Sequence, residues 1–183
     1  MYEIETERTV LRLPVIDDLD GLAAIFGNSQ VMKYMDVDCR PITREQTELA
    51  LISIINGWKK NGFGRWAIIS KEDNKLIGLA GLRKHEEIAE LFYVLNESYW
   101  GKGLATEIAR EILLAAFEKH DFPRIAAMTR PGNKASRNVL NKLGMRFMGQ
   151  LEIYGIKAVQ YEFTREDFQS AYSSRNLKSS SPN

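Results

Sequence analysis

A chain of 183 residues is long enough to bury one good core and fits one domain better than two. An apolar share of 44% with 27% charged residues is that of an ordinary soluble globular protein, and a net charge of +1 argues against a surface that coats nucleic acid. The single cysteine, Cys39, rules out an internal disulfide framework and suits a reducing cytoplasm; its neighbours Asp36, Asp38 and Arg40 supply no base to make it a nucleophile. The start, Met1 to Glu5, has no basic segment ahead of an apolar one, and the longest dense apolar run, Ile112 to Phe117, falls far short of the roughly 20 residues that cross a bilayer. A cytoplasmic chain with neither membrane nor nucleic acid as partner is expected.

Alternation in Val10-Leu11-Arg12-Leu13 predicts a first strand, and Pro14 with Asp17-Asp18 marks a turn into a helix reaching Phe26. Thr43-Arg44-Glu45-Gln46 matches a capping box for a second helix, with Leu49, Ile52 and Ile55 on one face and an end near Gly57. Trp66 to Ile69 and Leu76 to Leu82 read as an antiparallel pair around Asp73-Asn74. Ile88 to Leu95 is the next strand, and Leu104, Ile108, Ile112 and Ala116 recur every four residues along a helix. After the break at Asp121 and Pro123 come a strand Ile125 to Thr129 and a short helix capped by Asn133. That helix carries Val139 and Leu143 on one face and is closed by Gly144. Two strands, Phe147 to Ile153 and Ala158 to Thr164, end a domain of residues 1–172, followed by a mobile polar tail, 173–183. The order is that of an α/β fold: one domain, a mixed sheet and helices on its faces.

Tyr99-Trp100-Gly101-Lys102-Gly103-Leu104-Ala105-Thr106 lies between a predicted strand and a predicted helix. Two residues without Cβ let backbone approach a ligand closely, and a helix starting there presents amides with no intrahelical partner, so the loop suits a phosphate or pyrophosphate. No Walker pattern is present, and Gly-x-Gly-x-x-Gly is matched only in part, because Thr106 takes the third position. Taken alone, an ordinary tight strand-to-helix turn stays open.

A second motif, Asn133-Lys134-Ala135-Ser136, follows, closed by Leu143-Gly144-Met145. The pair resembles the acetyl-CoA-binding core of the GNAT N-acetyltransferases, and Thr6-Glu7-Arg8-Thr9-Val10-Leu11-Arg12-Leu13 is similar to the opening of the subgroup that contains the ribosomal-protein N-terminal acetyltransferases. The likeness runs from about Thr6 to Phe168; Trp100 departs from the Gln or Arg often found at its place in the wider family. The resemblance implies a mostly antiparallel sheet in which the strands at Ile88–Leu95 and Ile125–Thr129 splay apart to admit the cosubstrate. It implies acetyl-CoA held by Trp100, Gly101, Lys102, Gly103, Leu104, Ala105, Thr106, Asn133, Ser136 and Arg137, no metal, and a monomer or homodimer. Lys102, Lys134 and Arg137 sit near CoA phosphates in that reading, or are solvated helix-end charges. A backbone N–H near Val94 or Leu95 would hold the thioester oxygen.

For chemistry the resemblance nominates Glu90 as general base, acting through water, with His85, Glu86 and Glu87 as alternatives and a paired surface glutamate as the bland reading. Where many members carry a tyrosine acid this chain has Leu140, and Ser136 resembles the hydroxyl the subgroup uses instead; a serine satisfying backbone is the alternative. Trp58, Trp66 and Tyr34 are expected in the core or the wall of the acceptor cleft. The acceptor is expected to be a protein N-terminal α-amine, or else a small amine such as a polyamine, amino acid or antibiotic. A polyamine would use carboxylates among Asp36, Asp38, Glu86, Glu87 and Glu90. A non-catalytic acyl-CoA-binding module and a dinucleotide-binding oxidoreductase are the competing classes.

Overall fold

The computed structural model describes residues 3–35, 39–85, 88–153 and 155–176. The first strands, β1 (Glu3–Glu5) and β2 (Thr9–Arg12), form a hairpin in which the Thr6 amide donates to the Thr9 carbonyl at 2.9 Å. A 3-10 turn at Ile16–Asp18 leads into α1 (Leu19–Phe26), and the Asn28 side chain caps a short α2 (Ser29–Met32) by accepting from the amides of Gln30 and Val31. Helix α3 spans Arg44–Asn61. Then follow β3 (Arg65–Ser70), β4 (Leu76–His85), β5 (Ile88–Leu95), α4 (Leu104–Lys119), β6 (Arg124–Thr129), α5 (Lys134–Lys142), β7 (Arg146–Ile153), β8 (Ile156–Thr164) and α6 (Arg165–Asn176).

The capping box of α3 is formed, since Gln46 N donates to Thr43 Oγ1 at 3.2 Å and Thr43 N to Gln46 Oε1 at 2.8 Å. The helix does not stop near Gly57, however. It runs on to Asn61 and ends on Gly62, whose φ of 72° is the left-handed conformation a terminating glycine adopts. An interior glycine weakens a helix by about 1 kcal/mol without breaking it, and Trp58 anchors the last turn. Its ring meets Trp66 edge-on at 4.7 Å, and its Nε1 donates to the Arg65 carbonyl. The buried face is also rotated from the expected one: Thr47, Leu51, Ile54 and Trp58 point inward, while Leu49 is 70% exposed. Thr47 tolerates burial because its hydroxyl returns a hydrogen bond to the Thr43 carbonyl at 2.9 Å.

The eight strands form one sheet in the order β1-β2-β3-β4-β5-β6-β8-β7, antiparallel except where β5 meets β6. On one face Leu22 and Ile25 of α1 and Leu51 and Ile54 of α3 pack with Ala67, Leu79 and Val94. On the other, Ile108 and Ile112 of α4 pack with Ile68, Ile77 and Ile125, with the Leu104-Ile108-Ile112-Ala116 stripe buried throughout. Helix α6 continues to Asn176 and so takes in the start of the tail expected from Ser173; residues 177–183 lie outside the described ones.

Candidate active site

Strands β5 and β6 pair only at Ala89 with Ile125 and Glu90 with Ala126, and beyond those two positions no pairing between them remains. The gap that opens has Leu91 to Leu95 on one side and Ala127 to Thr129 on the other. It holds a cavity of about 120 Å³, adjoining a larger one of about 410 Å³. Asn96 donates its amide to the Ile77 carbonyl of β4 at 2.8 Å. Residues of an antiparallel pair alternate between bonded and non-bonded positions, so in the β4–β5 register Val94 turns its amide to β4, while Leu95 and Tyr93 turn theirs toward the gap. Of the two candidate donors named from sequence, Leu95 has the suitable direction.

The larger cavity is lined by Val94, Leu95, Trp100, Gly101, Gly103, Leu104, Ala105, Thr106, Asn133 and Ser136. Lys102 and Arg137 are not among its walls. The Lys102 ammonium sits 5.1 Å from the centre of the Tyr99 ring, and Arg137 turns toward β8, donating to Tyr161 Oη at 3.3 Å and to the Pro131 carbonyl at 3.4 Å. Gly101 and Gly103 have φ of 74° and 80°, where a side chain is strained, and a Cβ on Gly101 would meet no heavy atom within 4 Å. The loop is therefore left-handed at two points and open above, with the first amides of α4 free of intrahelical partners.

The upstream Thr6-Glu7-Arg8 segment holds this loop from behind. Arg8 donates through Nη1 to the Lys102 carbonyl at 2.8 Å, while its Nε and backbone amide both reach Glu107 in the first turn of α4. Thr6 Oγ1 donates to the same carboxylate at 2.7 Å. Burial raises the Glu107 carboxyl, but the bonds from Thr6 and Arg8 outweigh it, and the group ends below its ordinary value. Two motifs about a hundred residues apart thus form one unit.

At the start of α5, Asn133 caps the helix by accepting from the Ser136 amide at 3.1 Å. Ser136 Oγ lies 2.9 Å from the hydroxyl of Tyr93, which also donates to the Ser136 carbonyl at 3.3 Å. Burial pushes the Tyr93 phenol up to about 12. Leu140, at 1% exposure, forms the wall beneath. Sequence reasoning missed Tyr93. The available signal was parity, since Leu91, Tyr93 and Leu95 share one face of β5, and that face lies under α5.

On the opposite face of β5, Glu90 is 2% exposed and accepts two bonds from Arg83, at 2.8 Å each to Oε2 and Oε1. It borders the smaller cavity, as do Arg83, Phe92, Tyr34 and Met35. Asp36, Asp38, Glu86, Glu87 and the His85 side chain lie outside the described residues. Among those described, no group of three His, Cys, Asp or Glu side chains offers a metal site, and no helix is long and apolar enough to cross a membrane.

The model of the acetyltransferase (GNAT) domain matches residues 8–146. The chain belongs to the GNAT acetyltransferase family. It is similar to p20 of Bacillus licheniformis, an uncharacterized N-acetyltransferase, at 32% identity over 158 residues, covering 84% of this chain and 88% of that protein. A GNAT acetyltransferase from Bacillus anthracis superposes with a TM-score of 0.78 at 25% identity, covering 90% of this chain and 99% of its own. RimL, a ribosomal L7/L12 α-N-protein acetyltransferase in complex with coenzyme A, gives 0.78 at 17% identity with 90% and 99% covered, a likeness of fold. This protein is thus an acetyl-CoA-dependent N-acetyltransferase acting on amine acceptors. The residues present suit that cosubstrate: a left-handed, open glycine turn at a helix start, adjoining a gap between strands.

Proposed function

We propose that the enzyme acetylates the α-amine of a protein N-terminus by direct attack, with both substrates bound across the β5–β6 gap. The observation that carries this is the convergence on the gap of the Leu95 amide, turned away from β4, the Ser136–Tyr93 hydroxyl pair and the Glu90 carboxylate, from two elements, β5 and α5, and both faces of the sheet. Acetyl-CoA supplies an acyl thioester. Amides of Gly101 to Ala105 bind its pyrophosphate, and the Leu95 amide polarises the carbonyl oxygen. Glu90 retains lone pairs beyond the two Arg83 uses, and these accept from the incoming amine or from a water that relays its proton. Either hydroxyl can donate in the Tyr93–Ser136 contact; in the working arrangement the Tyr93 proton, held at neutral pH, turns from the Ser136 carbonyl to Ser136 Oγ, and the serine's own proton is directed at the departing sulfur. Orientation supplies much of the rate, since effective molarities of well-placed reactants reach about 10⁵ M or more.

The N-terminal acceptor is favoured by the fold shared with RimL over nearly the whole chain; the cavity at Glu90, bordered by Tyr34 and Met35, is where the amine would enter. Release of free CoA is the test, using acetyl-CoA with peptides bearing a free α-amine, the same peptides blocked there but carrying lysine, polyamines and aminoglycosides. Turnover of the free α-amine peptides is expected. Turnover confined to a small amine would transfer the same site to a small-molecule acceptor. Binding of acetyl-CoA with no turnover in wild type or Glu90→Gln would make the protein a non-catalytic module.

A further inference from the structure

We infer that the acceptor carries an anionic group, a carboxylate or phosphate, close to the amine that is acetylated, and that Arg65 and Arg83 receive it. The inference rests on the acetyl-transfer reading for the amine and on separate observations for the anion. The β3–β4–β5 register aligns Arg65, Gly81 and Phe92 in one row across the sheet, with Arg83 and Glu90 two residues along on the same face. Gly81 has no side chain between them, and the guanidinium carbons of Arg65 and Arg83 lie 5.2 and 5.7 Å from the centre of the Phe92 ring.

Arg83 spends two of its five N–H groups on Glu90, which leaves three and fixes the plane in which they point. Arg65 is half-buried, and among the described residues its guanidinium has neither a hydrogen-bond acceptor nor an ion-pair partner. Burial and the neighbouring charge of Arg83 pull it down to about 10. A half-buried guanidinium whose donors meet no protein acceptor keeps them available to a ligand, and its partial desolvation strengthens its attraction for a counter-anion. The described carboxylates nearby are already engaged: Glu90 by Arg83, and Glu162, one row across β6, by Gln160 at 2.9 Å and Arg124 at 3.6 Å. Bidentate guanidinium recognition suits a carboxylate or a phosphate equally. An acidic peptide N-terminus and a small amino acid share that chemistry, whereas a polyamine lacks it.

Two matched series read the inference on the wild-type enzyme with acetyl-CoA. The first is tripeptide amides with alanine first and glutamate, phosphoserine, glutamine or lysine second; the second is β-alanine against β-alaninamide. A kcat/KM ratio of about tenfold or more for the anionic member over its neutral partner in either series is expected, and the series in which it occurs identifies the source. The ratio should fall toward one in Arg65→Gln and stay higher in Arg65→Lys. Equal use of anionic and neutral members, or preference for the lysine peptide, overturns the inference while acetyl transfer stands. If no amine is turned over, the transfer reading fails on its own. Calorimetric titration of the glutamate and glutamine peptides into CoA-saturated protein then decides the anion site: selective binding of the first supports it, and equal or absent binding overturns it.

Discussion

At the turn between β5 and α4 the groups presented to a ligand are main-chain amides, fixed by two left-handed glycines and held by Arg8 and Glu107. On the other face of β5 they are side chains, Arg65, Arg83, Glu90 and Phe92, set by the registers of three strands. In the proposed mode the first arrangement binds one generic ligand fragment, a pyrophosphate, through main-chain groups. In the second, recognition rests on side chains, so a substitution there changes the acceptor chemistry directly. In the proposed mechanism Tyr93 with Ser136 stands at the joint between the two halves.

Loss of the joint should have the largest effect. Ser136→Ala or Tyr93→Phe is expected to lower kcat by about 100-fold while leaving the affinity for acetyl-CoA nearly unchanged. The double variant should be little worse than either single one, since the two hydroxyls act as a unit. Steady-state kinetics with a calorimetric Kd check this, and equal loss of kcat and affinity would assign the pair to binding alone. Next comes the donor half. Gly103→Val places a β-branched residue at a φ of 80°, which costs about 1–2 kcal/mol, and directs its Cβ at Arg8 Nη2, 3.7 Å away, so that both the turn and the strap behind it must shift. The Kd for acetyl-CoA should rise about tenfold, with the preference among acceptor amines retained. A folded variant with unchanged affinity would break the loop assignment.

The strap behind the loop should matter less. Arg8→Ala removes the bond to the Lys102 carbonyl and an ion pair that is partly exposed. Such pairs contribute about 1 kcal/mol or less, so a rise in Kd of about threefold is expected by calorimetry. The smallest effect is on stability against pH. The Glu107 carboxyl lies below its ordinary 4.5 in the fold, so its contribution is present above that value and is lost as pH falls through the lowered folded value. The melting temperature of the wild type should exceed that of Glu107→Gln at pH 7, and the difference should close as the solution is acidified below about 4.5; a constant difference would deny Glu107 this role.

How much of this was legible in the sequence follows the same division. Gly101, Gly103, Asn133 and Ser136 announce themselves because a turn, a cap and a helix start are decided within a few residues. The Arg83–Glu90 pair and the row Arg65, Gly81, Phe92 depend on which residue of one strand faces which of another, and no local pattern states that register. Parity places Tyr93 on the face of β5 shared with Leu91 and Leu95, but its meeting with Ser136 depends on how α5 packs there, which no local pattern states. Helix α3 shows a third kind of failure: Leu49, Ile52 and Ile55 look like the core stripe, yet the helix is turned to bury Trp58 against Trp66. Thr47 then joins the inner face through its own hydrogen bond.

The central claim is that acetyl-CoA occupies the β5–β6 gap with its pyrophosphate on the glycine loop. Amide hydrogen exchange with and without acetyl-CoA tests it most directly. Slowed exchange at Gly101 to Thr106 and at Tyr93 and Leu95, with the β1–β2 hairpin and α6 unchanged, is the predicted result. Saturating acetyl-CoA that leaves those amides exchanging as before, or protects a different surface, would contradict it.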